Sequence, residues 1–253
     1  MQPNRRQLLH EFRSRTSTPP PADASRVWLK GHACGWAKPE AAAVVGLREG
    51  RASLPETDDG LAGLARRLHE AGVLSGWRNE LLDVMGDDGR VLGRIERATM
   101  RPLGLMTRAV HLTAYAPDGR LWVARRALHK NTDPGMWDTL VGGLIAAGES
   151  PALALERESD EEAGLTPAHL RDAQPIGDFL VTRRVPEGYQ REHVLVTDCV
   201  LPPDCTPCNR DGEVEEIRLA PAEEVLAGIA DHQYTAEASL AILISLEAAA
   251  RPG

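Results

Sequence analysis

Residues 143–165, GLIAAGESPALALERESDEEAGL, carry both ends of a helix in their own lettering. Ser150 is an N-cap by type, because its hydroxyl can take a backbone N–H that the first turn leaves unpaired. Pro151 suits the first helical position, where no N–H is needed, and Gly164 offers the left-handed conformation that ends a helix. The spacing predicts a helix of about three turns from Ser150 to Ala163.

The charges on this helix are placed against its electrostatics. Glu156, Glu158, Asp160, Glu161 and Glu162 crowd the C-terminal half, where the macrodipole already disfavours anions. Glu158 precedes Glu161 and Glu162 by three and four residues, so these carboxylates share a face and repel. Each unfavourable pairing costs roughly 0.3–1 kcal/mol. Arg157 answers Glu161 at i,i+4, but it is one cation against five anions. A hard divalent cation, Mg2+ or Mn2+, would relieve the conflict: it takes oxygen ligands, keeps several waters, and binds one or two carboxylates plus substrate phosphates. Gly142 and Gly143 let the preceding backbone come close enough to add a carbonyl from Gly143. A solvated acidic helix face is the other reading of the same residues.

Outward from this helix the signals alternate between strand and helix. Ala109–Ala116 alternates as a strand does, Pro117-Asp118-Gly119 is a turn, and Leu121–Ala124 pairs back. Further strands are expected over Ile176–Thr182, Val194–Leu201 and Val214–Leu219, with helices over Pro221–Ala227 and Ala236–Ala249. An α/β domain over residues 105–253 follows. Upstream, Leu61, Leu64 and Leu68 recur at helical spacing, and Leu81–Met85 and Arg90–Ile95 flank the hairpin signal Gly86-Asp87-Asp88-Gly89. Residues 26–104 are therefore expected to form a small α+β domain. Residues 1–25, polar and ending in Thr18-Pro19-Pro20-Pro21 and its neighbours, read as a mobile lead-in.

The 253 residues are 42% hydrophobic and 26% charged, which excludes disorder, and the net charge of -8 argues against a nucleic-acid polymer as partner. No apolar run approaches the ~18 residues of a membrane span. Arg5 and Arg6 are not followed by an apolar segment, so no secretory signal is expected. Cys34, Cys199, Cys205 and Cys208 are too few for a disulfide framework, and the Cys205–Cys208 pair lacks a second pair to complete a zinc site. The expected setting is reducing and cytoplasmic, for a monomer or homodimer. An acidic protein can take a small anionic substrate only if something cationic mediates.

Candidate cations lie nearby. Arg125, Arg126 and Lys130 sit on a strand end and the loop after it, suited either to surface charge or to clamping phosphate. Trp137 is read as core or as a stacking face for a ring. Carboxylates outside the helix that could assist are Glu192, Glu213, Glu215 and Glu216.

Gly143, Glu149 and the run Arg157-Glu158-Ser159-Asp160-Glu161-Glu162-Ala163-Gly164-Leu165 resemble the Nudix box, G-x5-E-x7-R-E-U-x-E-E-x-G-U, at every fixed position. The one departure is Ser159, where the family prefers a bulky apolar residue. The resemblance implies a Nudix α/β/α sandwich and metal-dependent hydrolysis of a diphosphate, a small molecule rather than a polymer. It implies Glu158 and Glu162 as metal ligands, Glu161 as a ligand direct or through water, Arg157 orienting the glutamates, and Glu149 in support. A second resemblance rests on Leu121–Gly143, Asp211–Glu215, Gly31–Trp36 and Trp77–Glu80. These look similar to a Nudix branch with an N-terminal extension, related to the Nudix part of a yeast thiamine pyrophosphokinase. That implies thiamine diphosphate, or its oxo and oxy forms, as substrate, with the first domain narrowing specificity. Nucleotide sugars and a catalytically silent ligand sensor are the alternatives. Isopentenyl diphosphate isomerase shares the fold but would need a cysteine where this chain has Thr139-Leu140-Val141-Gly142.

Overall fold

In the computed structural model, which describes residues 4–130 and 132–249, the chain opens on a helix. Helix α1 (Arg5–Arg15) is capped by the Asn4 side chain, which accepts the Arg6 N–H, and it turns Leu8, Leu9 and Phe12 inward. These three join Leu243 and Leu246 near the C-terminus in one apolar cluster. The expected mobile lead-in is corrected here: residues 5–15 are an ordered helix, and residues 1–3 lie outside the described residues. So short a helix is marginal alone, and its stability comes from a partner nearly the whole chain away. Thr16 and Thr18 then exchange backbone bonds with Thr182, holding residues 16–18 against the main sheet.

The first sheet is built by β1 (Ser25–Leu29), β2 (His32–Ala37), β3 (Leu47–Arg48) and β4 (Arg51–Ser53), in the order β2-β1-β4-β3. Helix α2 (Pro39–Val45) and helix α3 (Asp58–Glu70) cover it, α3 burying Leu61, Leu64, Ala65 and Leu68 at the expected spacing. The expected hairpin is β5 (Leu81–Met85) with β6 (Val91–Glu96). A single 3-10 turn, Arg97–Thr99, leads out of β6.

The second sheet holds β7 (Met106–Tyr115), β8 (Leu121–Arg126), β9 (Trp137–Thr139), β10 (Val141–Leu144), β11 (Gln174–Val185), β12 (Gly188–Val200) and β13 (Val214–Ala220). Its main order is β11-β12-β7-β8-β13, with β10 paired to β7 and β9 to β8. The β12–β7 pair is parallel, so the sheet is mixed. Helix α4 (Pro151–Ala163) packs on one face with Val110, Leu112, Leu140 and Val141. Helix α5 (Ala222–Ala230), helix α6 (Ala236–Ala249) and α1 cover the other face, against Leu121, Val123 and Val181. These layers make the α/β/α sandwich.

The two sheets are joined by backbone bonds and not by side chains alone. Trp36 N–H and Lys38 N–H donate to the carbonyls of Leu103 and Pro102, and Tyr189 N–H donates to that of Arg101. Gly104 takes a left-handed φ of 56°, and a Cβ there would strike the Trp36 backbone. Residues 97–105 thus thread between β2 and the start of β12, with Met100, Leu103 and Leu105 almost wholly buried. What faces the space between the two halves is the site.

Candidate active site

Helix α4 forms as its sequence dictates. Ser150 accepts the Leu153 N–H, Pro151 opens the helix, and Gly164 closes it at φ 64°. Two more of its terminal carbonyls are answered from residues 208–210: Cys208 N–H donates to Ala163 and Arg210 N–H to Glu161. Arg210 also pairs through its guanidinium with Asp160, setting a cation at the helix end where the acids crowd. The cysteine pair therefore lies beside a helix cap, and all four cysteines are free.

The register of β10 on β7 puts Gly142 opposite His111 and Gly143 opposite Val110, and α4 lies across this point. Glu162 is buried, its carboxylate accepting the Gly142 N–H at 2.9 Å. Burial holds its pKa well above the ordinary carboxylate value, against the pull of that N–H. Glu158 is raised as well, chiefly by burial, with Arg157 opposing and Glu161 and Glu213 adding to it. Arg157 is the hub: it donates to both oxygens of Glu149 at 3.0 Å, to Glu158 at 2.7 Å, to Glu161 at 3.2 Å and to the Leu144 carbonyl at 3.1 Å. The Glu149 bonds, more than any other interaction, push the guanidinium pKa above its ordinary value.

Does this donor set fit a hard divalent cation? Among the described residues no three His, Cys, Asp or Glu side chains are already gathered around a metal position. Arg157 supplies the neutralisation that the sequence suggested a metal alone would give. The chemistry nevertheless fits: buried carboxylates whose anionic forms are disfavoured, all-oxygen donors, and a glycine whose missing side chain leaves the room that Glu158 fills. Glu161, Glu158 and Gly143 face a cavity of about 620 Å3, with Glu162 behind Gly142.

The other expected residues divide by strand parity. Arg126 lines the cavity, but its guanidinium is bound to the Thr132 carbonyl at 3.0 and 3.1 Å and to Asp138 at 3.1 Å. Lys130 also lines it, paired with Glu213. Burial would raise Glu213, but the bond and charge of Lys130, helped by Arg97 and Arg126, bring its pKa below the ordinary value. Glu192 lines the cavity too, bonded by the Thr107 hydroxyl at 2.9 Å.

Arg125 and Trp137 do not line the cavity, and their expected role against substrate is corrected. Successive side chains on β8 point to opposite faces, so Arg125 must point away from the side that Arg126 takes. It meets Glu215 at 3.5 Å and Glu216 at 3.6 Å, which removes both of those carboxylates from the candidates in the cavity. Trp137 packs with Tyr234 and lies under Arg218, on the α5–α6 side.

Sequence reasoning missed several lining residues. His111 and Asp138 are buried at the back, His111 bonding the Thr139 hydroxyl at 2.8 Å, its pKa lowered chiefly by burial. The parity of β7 could have found His111, since it alternates with Val110 and Leu112 of the core. Arg78, Glu80, Arg97 and Arg101 come from the first half of the chain; the first two lie in the Trp77–Glu80 segment of the second resemblance, while nothing in the local pattern marks Arg97 and Arg101.

An α/β/α sandwich carrying an acidic, Arg-centred helix across a Gly-Gly strand defines a recognisable class. The NUDIX domain family matches residues 105–239, more than half of the chain, and the chain belongs to that family. Nudix hydrolase 20, chloroplastic, of Arabidopsis thaliana is 34% identical over 188 residues, 72% of this chain and 50% of that protein. Nudix hydrolase 24, chloroplastic, of the same plant is 34% identical over 169 residues, 65% of this chain and 46% of that one. The crystal structure of DR0079 from Deinococcus radiodurans shares the fold at a TM-score of 0.50 and 25% identity, covering 66% of this chain and 98% of its own. The chain spans about half the length of the two plant relatives. Among the described residues no helix is long and apolar enough to cross a membrane.

Proposed function

We propose that this chain hydrolyses a diphosphate linkage with Mg2+ or Mn2+, and that its substrate is thiamine diphosphate or an oxidised derivative, cleaved to the monophosphate. The observation that carries the reaction class is the placement of Glu162 on Gly142 and Glu158 against Gly143, with Glu158 and Glu161 tied through Arg157 at the wall of a cavity sized for a small molecule. Glu158, Glu161, Glu162 and the Gly143 carbonyl would hold the ion. Once bound, it neutralises diphosphate oxygens and lowers the pKa of an attacking water.

The rest falls to the protein. Arg157 fixes the rotamers of Glu158 and Glu161, and Glu149 fixes Arg157, so the oxygen donors are oriented before substrate arrives. Arg126 is a positioning residue, tying β8 to Thr132 and Asp138. Lys130 and Glu213 face the cavity as a pair, Lys130 to meet a phosphoryl oxygen and Glu213 to accept the proton of the attacking water. The water oxygen bonds to phosphorus as the anhydride P–O bond breaks, releasing inorganic phosphate and the monophosphate. The similarity of Leu121–Gly143 and Trp77–Glu80 to the branch with an N-terminal extension supports the thiamine substrate.

Hydrolysis of thiamine diphosphate, its oxo and oxy analogues, ADP-ribose and nucleotide sugars, with Mg2+ and with Mn2+ and read as the monophosphate products separated by chromatography, tests both levels. Turnover of ADP-ribose far above every thiamine compound removes the substrate and leaves the reaction. Equal activity of Glu162→Gln and parent removes the catalytic assignment of Glu162, and a folded parent that turns over none of these diphosphates leaves a ligand sensor.

A further inference from the structure

We infer that Arg97 and Arg101, contributed by the N-terminal half, are the phosphate-binding residues opposed to the acidic helix, so that the substrate site is complete only with both halves of the chain. The inference rests on the diphosphate reading and names the part of the site that receives the phosphoryl group lying away from the carboxylates.

Beyond Lys130, already assigned to a phosphoryl oxygen, and Arg78, which has a partner of its own, elimination leads to these two. A diphosphate carries more negative charge than one divalent ion cancels, so cations of the protein must meet the remainder. Most of those in the cavity are committed. Arg157 is shared among Glu149, Glu158 and Glu161, Arg126 holds Thr132 and Asp138, and Arg183 holds Gln190 and Glu237. Arg191 is bound to the Cys34 carbonyl and Asp87. Among the described residues the Arg97 side chain makes one ion pair, 2.6 Å to Glu80, and that of Arg101 a loose one, 3.6 Å to Glu187. A guanidinium has five N–H donors, so each retains most of its capacity for a phosphoryl group.

Placement strengthens the case. Both residues line the cavity that Glu158, Glu161 and Gly143 line. Arg97 lies near enough to Glu213 to help depress its pKa, and the charge of Arg101 reaches Glu192, opposing the rise that burial gives that carboxyl. Their backbone is also rigid. The Arg101 carbonyl accepts from Gly104 and Tyr189, and a Cβ on Gly188 would collide with it. Thr99 between them is buried, its hydroxyl donating to the Glu96 carbonyl at 2.8 Å. Arginines on a backbone this firmly held are oriented in advance, which lowers the entropy lost when an anion is fixed.

Calorimetric titration of methylenediphosphonate with Mg2+ onto the full chain tests this without turnover. Arg97→Gln and Arg101→Gln are each expected to weaken binding about tenfold or more, as loss of a charged hydrogen-bond pair does. Arg→Lys at each position should restore part of the loss, which a merely structural role would not show. In turnover assays KM should rise by a larger factor than kcat falls. Parent-like affinity in both Gln variants, or no binding by the folded parent, overturns the inference. A parent that binds the diphosphonate but turns over no diphosphate instead overturns the hydrolase reading while the titration still reports on the arginines.

Discussion

Gly143 and Glu158 compete for one volume: a Cβ built on the glycine would overlap the glutamate carboxylate. Nothing in Gly143 requires unusual dihedrals; its lack of a side chain is what lets α4 lie so close to β10. Gly143→Ala should push Glu158 aside by about an ångström, a displacement that commonly costs about a hundredfold in rate. Metal-dependent phosphate release should fall by about that factor while the circular dichroism spectrum stays that of the parent. A Gly143→Ala protein as active as the parent would mean that Glu158 need not stand where it does.

Much of this was legible in the chain because its signals are local. Ser150, Pro151 and Gly164 mark α4 from within, and the hairpin of β5 and β6 is written in Gly86–Gly89. What was hidden depends on contacts distant in sequence. Helix α1 exists because α6 covers Leu8, Leu9 and Phe12, and no window around residue 10 contains α6. Arg125 and Arg126 are adjacent in sequence and equally basic, so only the sheet could decide which of them meets the cavity. Arg97 and Arg101 needed the two halves docked before they had anything to face.

Ser159 stands where the box favours a bulky apolar residue, and it is wholly buried with its hydroxyl unpartnered among the described residues. A buried hydroxyl without a partner costs about 1–3 kcal/mol of desolvation. Ser159→Ala removes that cost, and alanine is also the better helix former. The expected outcome is a gain of about 1 kcal/mol, a rise of roughly 2–4 °C in Tm for a chain of this size. Calorimetry showing a lower Tm would indicate that the hydroxyl is satisfied in solution.

Asp87 ties the two halves together, accepting from Arg191 of β12 at 2.8 Å and pairing with Arg26 of β1. Burial alone would raise its carboxyl, but the bonds from Arg191 and Arg26 outweigh it and hold the pKa below 3.8. A depressed carboxylate stabilises the fold above its unfolded pKa and loses that contribution as pH falls through the folded one. The pair is part exposed and screened, so Asp87→Asn should cost no more than about 1 kcal/mol at pH 7. Urea unfolding of parent and variant should show that difference closing as the pH is lowered below about 4. A gap that stayed constant down to pH 3 would assign the loss to packing.

Asp198 has the opposite sign. Its carboxyl accepts the Ser245 hydroxyl at 2.7 Å, Ser245 meets Tyr115, and the other carboxyl oxygen is buried without a partner among the described residues. Burial pushes its pKa up to about 6 from 3.8, against the Ser245 bond. A carboxyl raised on folding favours the fold most when protonated. Its contribution is fully present below 3.8 and is lost as pH rises through about 6, leaving a buried charge above that. Asp198→Asn keeps an acceptor for Ser245 and carries no charge at any pH. The variant should therefore be more stable than the parent at pH 7.5 by about 1–2 kcal/mol, the full shift being discounted for partial solvation. At pH 4 the two should unfold at nearly the same urea concentration, because Asp198 is then neutral in the fold. An advantage of the variant that persisted undiminished at pH 4 would place its origin in the amide's hydrogen bonds and not in the charge.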